Sequence, residues 1–287
     1  MEAKMSMEYV LSPQLAKVWI VKSSSESLNK FLGGGFLRGT VYTIYGRQDR
    51  GKSNICADLM KNAAEMGFKV AYIDGDYHGL TVHRIYSIIK ARHPNAKILE
   101  PTKVDPIKVY DYYQKLLKNY NIDIFWENDL DKLVNRCKEI AKSNEYTVII
   151  VDSVTLFFSE FVSASDSPAT KKEGTTDMIT MYGKLRESAL NSNHLKILVF
   201  TTQHASLMKE ALRISTLKEK ERHKIKINTS DKEEIDLHMG GKAPAHFSDV
   251  VIQLFKFDKL RKAEYVKNRL FESSAVAEFE ITDRGIQ

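Results

Sequence analysis

At 287 residues the chain is long enough to bury a proper core, as one large domain or one domain with small additions. Its hydrophobic share of 43% excludes global disorder and fibrous architecture, and no run approaches the roughly 20 apolar residues that span a bilayer. Lys and Arg number 43 against 37 Asp and Glu, and the resulting net charge of +6 is compatible with a polyanionic partner without demanding one.

Residues 1–22 read as a lead-in without the apolar core of a signal peptide, and the Ser23-Ser24-Ser25 run marks a break before a single core over 23–287. From there short β-rich runs alternate with segments of helical period. Val41–Tyr45 is a strand and Asn54–Glu65 a helix; Lys69–Asp74 is the next strand, followed by a helix around Leu80–Ala91. Residues 93–121 read as an insertion with a helical stretch at Ile107–Tyr120. Strand Ile122–Trp126 and helix Leu130–Ala141 follow, then strand Thr147–Asp152, helix Met178–Leu190 and strand Lys196–Thr201. Continuous apolar strands separated by helices imply an α/β fold with a mostly parallel sheet covered on both faces. Asp249–Lys256 and Ala275–Ile281 read as late antiparallel strands joined by a basic turn. Two long loops, Ser159–Thr176 and Ala205–His238, exceed what a compact domain usually carries without a functional reason. Phe157, Phe158 and Phe161 open the first of them, where core packing is the commoner explanation and an interaction surface the other. Cys56 and Cys137 lie far apart without ligand-like neighbours. They read as small apolar filler on helices in a reducing, cytoplasmic setting.

Residues 46–53, Gly46, Arg47, Gln48, Asp49, Arg50, Gly51, Lys52 and Ser53, have the spacing of a phosphate-binding loop between a strand and a helix, with Asn54 continuing the helix. Backbone N–H groups in such a loop hold phosphate oxygens, and the helix N-terminus adds partial positive charge. Lys52 supplies a point charge for the β- and γ-phosphates, and Ser53 a hydroxyl for magnesium, so ATP with Mg2+ is the expected ligand. Asp152 ends an apolar strand, placing its carboxylate at the sheet edge where ligands collect. It suits water-mediated magnesium binding, or alternatively an N-cap. Asp74-Gly75-Asp76 follows another strand to the same edge, where a carboxylate polarises attacking water; Gln203 lies just past a third. Taken singly, either residue reads equally well as a polar loop residue.

The stretch SESLNKFLGGGFLRGTVYTIYG with the phosphate loop, VAYIDGD, VIIVDSVTLFF, the strand ending in Gln203, GGKAPAHFSDVVIQL and EFEITDRGI together resemble the RecA/RadA recombinase core. The similarity is nearest to its archaeal RadA and RadB type and covers roughly residues 23–287. It implies a RecA-like ATPase fold with C-terminal antiparallel strands. By position, it implies a catalytic carboxylate at Asp76, a polar sensor at Gln203, and at His246 a histidine that senses the γ-phosphate across a subunit interface. The loops 159–176 and 205–238 match the family's two DNA-facing loops.

Several departures point to a RadA paralogue rather than the main strand-exchange enzyme. Asp76 is one methylene shorter than the family's glutamate, so slow hydrolysis is expected. Asp49 and Arg50 stand where relatives often have glycine and a small residue, and aspartate tolerates a left-handed conformation. Neither the family's separate N-terminal helical domain nor a Phe-x-x-Ala anchor in residues 1–22 is visible, which leaves linker-mediated polymerisation without an obvious anchor.

Within the second loop, Lys209, Arg213, Lys218, Lys220, Arg222, Lys224 and Lys226 outweigh Glu210, Glu219 and Glu221. Lys171 and Lys172 add charge from the first loop, and Lys259, Arg261, Lys262, Lys267 and Arg269 from the late hairpin. A solvated helix face with interleaved charges explains the composition equally well. The position in a family DNA loop favours non-specific binding of single- or double-stranded DNA, salt-dependent in strength. The resemblance therefore implies a DNA-binding protein assisting recombination and repair, nucleoid-associated in the cytoplasm, with a recombinase partner or self-association and no membrane partner. The competing reading is a KaiC-like regulatory ATPase acting through proteins without DNA. A helicase-like motor is disfavoured by Asp76.

Overall fold

The computed structural model describes residues 19–47, 49–75, 115, 117–126, 129–154, 168–190, 194–202, 246–270, 276–282 and 285–287. Among these residues the centre is a nine-stranded sheet. The parallel strands are β3 (Thr40–Tyr45), β4 (Val70–Asp74), β5 (Ile122–Trp126), β6 (Val148–Asp152), β7 (Ile197–Thr202) and β8 (Val250–Phe257). Strands β9 (Leu260–Asn268), β10 (Val276–Thr282) and β11 (Gly285–Ile286) extend it antiparallel beyond β8, giving the order β11-β10-β9-β8-β3-β7-β6-β4-β5. A separate pair, β1 (Ile20–Val21) with β2 (Phe36–Leu37), lies ahead of β3. Both residues of β1 are buried, so the core reaches back into the stretch that reads as a lead-in.

Alternation along each strand divides the core in two, because successive side chains point to opposite faces. Tyr42, Ile44, Tyr72, Ile150 and Val199 face a cluster with α1 (Glu26–Phe31) and α2 (Lys52–Glu65). Val41, Ile73, Ile149, Leu198 and Phe200 face α3 (Leu130–Lys142) and α4 (Pro168–Ala189). Cys56 on α2 and Cys137 on α3 are both buried among these apolar residues. Burial pushes the Cys56 thiol well up, the Asp152 charge adding to this and Lys52 opposing it, so the thiol stays protonated.

Three sequence expectations differ from the structure. Strand β8 runs parallel to β3 and is antiparallel only to its hairpin partner, and the supposed basic turn is a strand, β9. The Asp258-Lys259 turn is tight, with Asp258 at φ 57°. Charged residues of the half-exposed β9, among them Arg261, Lys262, Glu264 and Lys267, hide its alternation. Helix α4 begins at Pro168, inside the expected loop 159–176, so Lys171 and Lys172 lie in the first turns of a helix. Proline suits a first helical position, while the run Gly174-Thr175-Thr176, poor in helix formers, reads as loop. The helix expected over 80–91, Phe157, Phe158 and Phe161, almost all of the 93–121 insertion and the 205–238 loop fall outside the described residues.

The C-terminal strands are tied to the first helices. Tyr265 stacks on Phe31 with ring centroids 3.9 Å apart, and its hydroxyl donates to the Phe31 carbonyl. The Glu278 amide donates to Ser27 Oγ at 3.0 Å. No helix among the described residues is long and apolar enough to cross a membrane.

Candidate nucleotide site

Strand β3 ends at Tyr45 and the chain turns directly into the loop that precedes α2. The turn brings the loop against the C-terminal strands. A Cβ on Gly46 would lie 2.8 Å from the Leu254 carbonyl oxygen on β8, so only glycine fits. Gly51 opens α2 at φ 99°, and a Cβ there would meet Ile281 Cδ1 of β10 at 2.5 Å. The left-handed conformation is what calls for glycine there, while the tip of Ile281 would have to shift to admit a Cβ. Between them Asp49 adopts φ 60°, the left-handed conformation that aspartate tolerates. Arg50 is turned onto the neighbouring strand. Its Nη1 donates to the Leu254 carbonyl at 3.3 Å, and its guanidinium lies 5.8 Å from the Phe255 ring centroid.

Helix α2 differs from its neighbours at its start. Helices α1 and α3 are capped by the Ser25 and Asp129 side chains, which accept helix N–H groups. Among the described residues no side chain caps α2, whose N-cap is Gly51, and no acidic residue occupies its first turn. Its first N–H groups and its dipole are left available to an anion. Lys52 is 8% exposed, and its Nζ donates to the carbonyls of Gly46 at 2.9 Å and Arg47 at 3.0 Å. An ammonium held across the loop mouth fits phosphate oxygens in the same place. Ser53 and Asn54 follow, both partly exposed. Gln48 lies outside the described residues.

Asp152 and Asp74 end adjacent strands at the same level, as register partners of β6 and β4, and both are buried. The Asp152 carboxylate accepts from Tyr72 Oη at 2.6 Å and from Thr201 Oγ1. Asp152 follows Ile150 by two residues on β6 and so lies on the face of the sheet that packs α2. Ser53 and Asp152 remain the residues suited to a magnesium ion; among the described residues no group of three or more His, Cys, Asp or Glu gathers as a metal cluster. Tyr72 and Thr201 are missed by sequence reasoning because both are ordinary strand formers. Nothing in their spacing distinguishes a hydroxyl bound to Asp152 from packing.

Asp76 and Gln203 fall outside the described residues, immediately beyond the ends of β4 and β7. Lys209, Arg213, Lys218, Lys220, Arg222, Lys224 and Lys226 do so as well. His246 is exposed and packs edge-on against Phe247 at 5.2 Å. It precedes β8, whose Val250 pairs with Tyr42 near the beginning of β3. That is the opposite end of the sheet from the loop after Tyr45, so His246 does not serve the phosphate loop of its own chain. Around it, Arg186 on α4 bridges Asp249 at 2.9 Å, and the Asp249 carboxylate accepts the Val41 amide at 3.1 Å.

The β8–β9 hairpin projects at the phosphate-loop end of the sheet. Lys256, Phe257, Asp258 and Lys259 are exposed there, Phe257 by 56%. Arg261 holds the turn through Nη1, donating to the carbonyls of Lys259 at 3.0 Å and Asp258 at 3.2 Å. Its stem passes beside Gly51. Lys262 is paired with Glu264 at 2.7 Å.

A strand entering a glycine-bounded loop, an uncapped helix leaving it and a carboxylate on a nearby parallel strand define a P-loop ATPase of RecA-like architecture. The family model for the KaiC ATPase matches residues 21–166, just over half of the 287 residues, and the chain belongs to that family. Within the wider RecA/RadA superfamily it is RadB-like. It is 27% identical over 269 residues to the DNA repair and recombination protein RadB of Archaeoglobus fulgidus, covering 93% of this chain and 98% of that protein. The RadB of Halobacterium salinarum is 25% identical over 262 residues, covering 91% of each. A crystal structure of the RadB recombinase shares the fold, with a TM-score of 0.61 and 18% identity over 93% of this chain and 98% of that one. Family membership carries nucleotide binding with it.

Proposed function

We propose that this chain is a magnesium–ATP-binding, DNA-binding protein of the RadB type that assists homologous recombination and repair and turns ATP over slowly. What carries the reading is the uncapped start of α2 with Lys52 across the loop, at the sheet end that also bears Asp152 and the basic hairpin tip. ATP supplies the phosphates for the loop N–H groups and Lys52; magnesium, when bound, neutralises phosphate charge beside Ser53 and Asp152. Full-length similarity to RadB proteins favours this over a KaiC-like regulator acting through protein partners alone.

The hairpin offers a polyanion surface. Lys256 and Lys259 present charge to phosphates, and the exposed Phe257 ring between them suits a stacked base. The basic residues of 209–226, with Lys171 and Lys172, extend the same role. His246, turned away from its own loop, acts on the nucleotide of a neighbouring copy in a homo-oligomer. A recombinase partner follows from the accessory role.

Asp76 is the base that positions water, with Gln203 as the γ-phosphate sensor. Asp76→Ala is expected to abolish the slow ATP hydrolysis while leaving ATP affinity within about a factor of two, since positioning rather than ground-state binding is removed. Steady-state phosphate release and a fluorescent-ATP titration on the same samples measure both. Equal turnover in the variant and the wild type would remove Asp76 from the mechanism.

A further inference from the structure

Tyr72 belongs to no nucleotide motif, yet its ring is buried under the site with its hydroxyl 2.6 Å from Asp152 Oδ2. Thr201 reaches the other carboxylate oxygen from the opposite side, donating to Oδ1. The three residues sit on adjacent strands, β4, β6 and β7, so the carboxylate is gripped from both neighbours of its own strand. We infer that Tyr72 and Thr201 are positioning residues that fix the Asp152 carboxylate for the divalent cation bound with the nucleotide phosphates. This rests on the magnesium–ATP reading above.

The physical case begins with freedom. An aspartate at a strand end has staggered choices at its first side-chain torsion and a broad second one. One donor on each oxygen removes both. An ionised carboxylate has about four acceptor sites, so two hydroxyls leave capacity for the waters of a hydrated cation. Magnesium keeps several of its waters and dehydrates reluctantly, which makes a carboxylate of fixed direction more useful than a mobile one. Phenylalanine and valine would fill the same volumes without a polar atom to satisfy, so packing alone does not call for either hydroxyl. The grip joins the three strands that run to this edge: β4 leads towards Asp76, β6 carries Asp152 and β7 leads towards Gln203.

The test uses the full chain as wild type, Tyr72→Phe, Thr201→Val and Thr201→Ser. A fluorescent ATP analogue is titrated across a magnesium series and again in EDTA, alongside thermal unfolding of the ligand-free protein. Outer partners of metal ligands shift metal affinity by roughly 10- to 100-fold. The half-saturating magnesium concentration should therefore rise about tenfold in Tyr72→Phe and Thr201→Val, with affinity in EDTA unchanged and Thr201→Ser restored to wild type. An unchanged magnesium dependence in both hydroxyl-free variants would overturn the inference. So would an equal loss in EDTA, the mark of a purely structural role. Wild-type ATP binding indifferent to magnesium also overturns it while leaving the nucleotide site standing; no ATP binding at all removes site and inference together.

Discussion

Lys52→Ala is expected to weaken ATP binding by about 2–5 kcal/mol, on the order of thirtyfold to several thousandfold, because it removes the charged partner of buried phosphate oxygens. The effect is large because Lys52 is itself mostly buried and already aimed across the loop mouth by the Gly46 and Arg47 carbonyls. Little rearrangement is needed to transfer its N–H groups to a ligand. Titration calorimetry with a slowly hydrolysed ATP analogue checks this. The variant should stay folded, since the two apolar clusters on either face of the sheet are untouched. A dissociation constant equal to that of the wild type would mean that the loop does not hold phosphates.

Phe279→Ala is expected to cost about 3–5 kcal/mol of stability, the usual range for deleting a buried phenylalanine. Phe279 is 2% exposed on β10 and belongs to the cluster that packs α1 and α2 on the sheet. Ile281, two residues on, reaches Gly51, its Cδ1 lying 2.5 Å from where a Cβ on that glycine would stand. Loosening β10 therefore reaches the phosphate loop as well as the core. Urea unfolding should show a lower midpoint with an unchanged slope, and ATP affinity should fall in step. A midpoint equal to that of the wild type would show that the C-terminal strands do not contribute to the cooperative core.

Much of this arrangement is legible in the residues alone. Strands such as VAYID, VIIVD and ILVFTT announce themselves as continuous apolar runs, and the glycines and lysine of 46–53 have a spacing few other structures require. Element ends shift by only a residue or two where caps are plain, as at Asp129 before α3. Strand β9 is hidden because charged residues interrupt a half-buried alternation. The first turns of α4 are hidden because glycine and threonine there are poor helix formers. The Tyr72–Asp152–Thr201 grip is invisible for a different reason. It joins three strands far apart in the chain, and sequence spacing says nothing about which hydroxyl meets which carboxylate. The end of the sheet that His246 occupies likewise follows only from the parallel pairing of β8 with β3.

The Asp49-Arg50 pair illustrates how a departure from a family pattern is absorbed. Aspartate takes the left-handed position at φ 60°, and the arginine is drawn off the phosphate path onto Leu254 and Phe255. The arginine thereby attaches the loop to the strand that leads into the basic hairpin.

The most direct test of the proposed function is a fluorescence-anisotropy titration of labelled single- and double-stranded DNA with the full chain, across a salt series, with and without magnesium–ATP. Salt-sensitive binding without base-sequence preference is expected. The slope of log affinity against log salt should fall by about one for each phosphate-contacting lysine removed, in Lys256→Ala and Lys259→Ala alike. Failure of either DNA form to bind at low ionic strength would contradict the account.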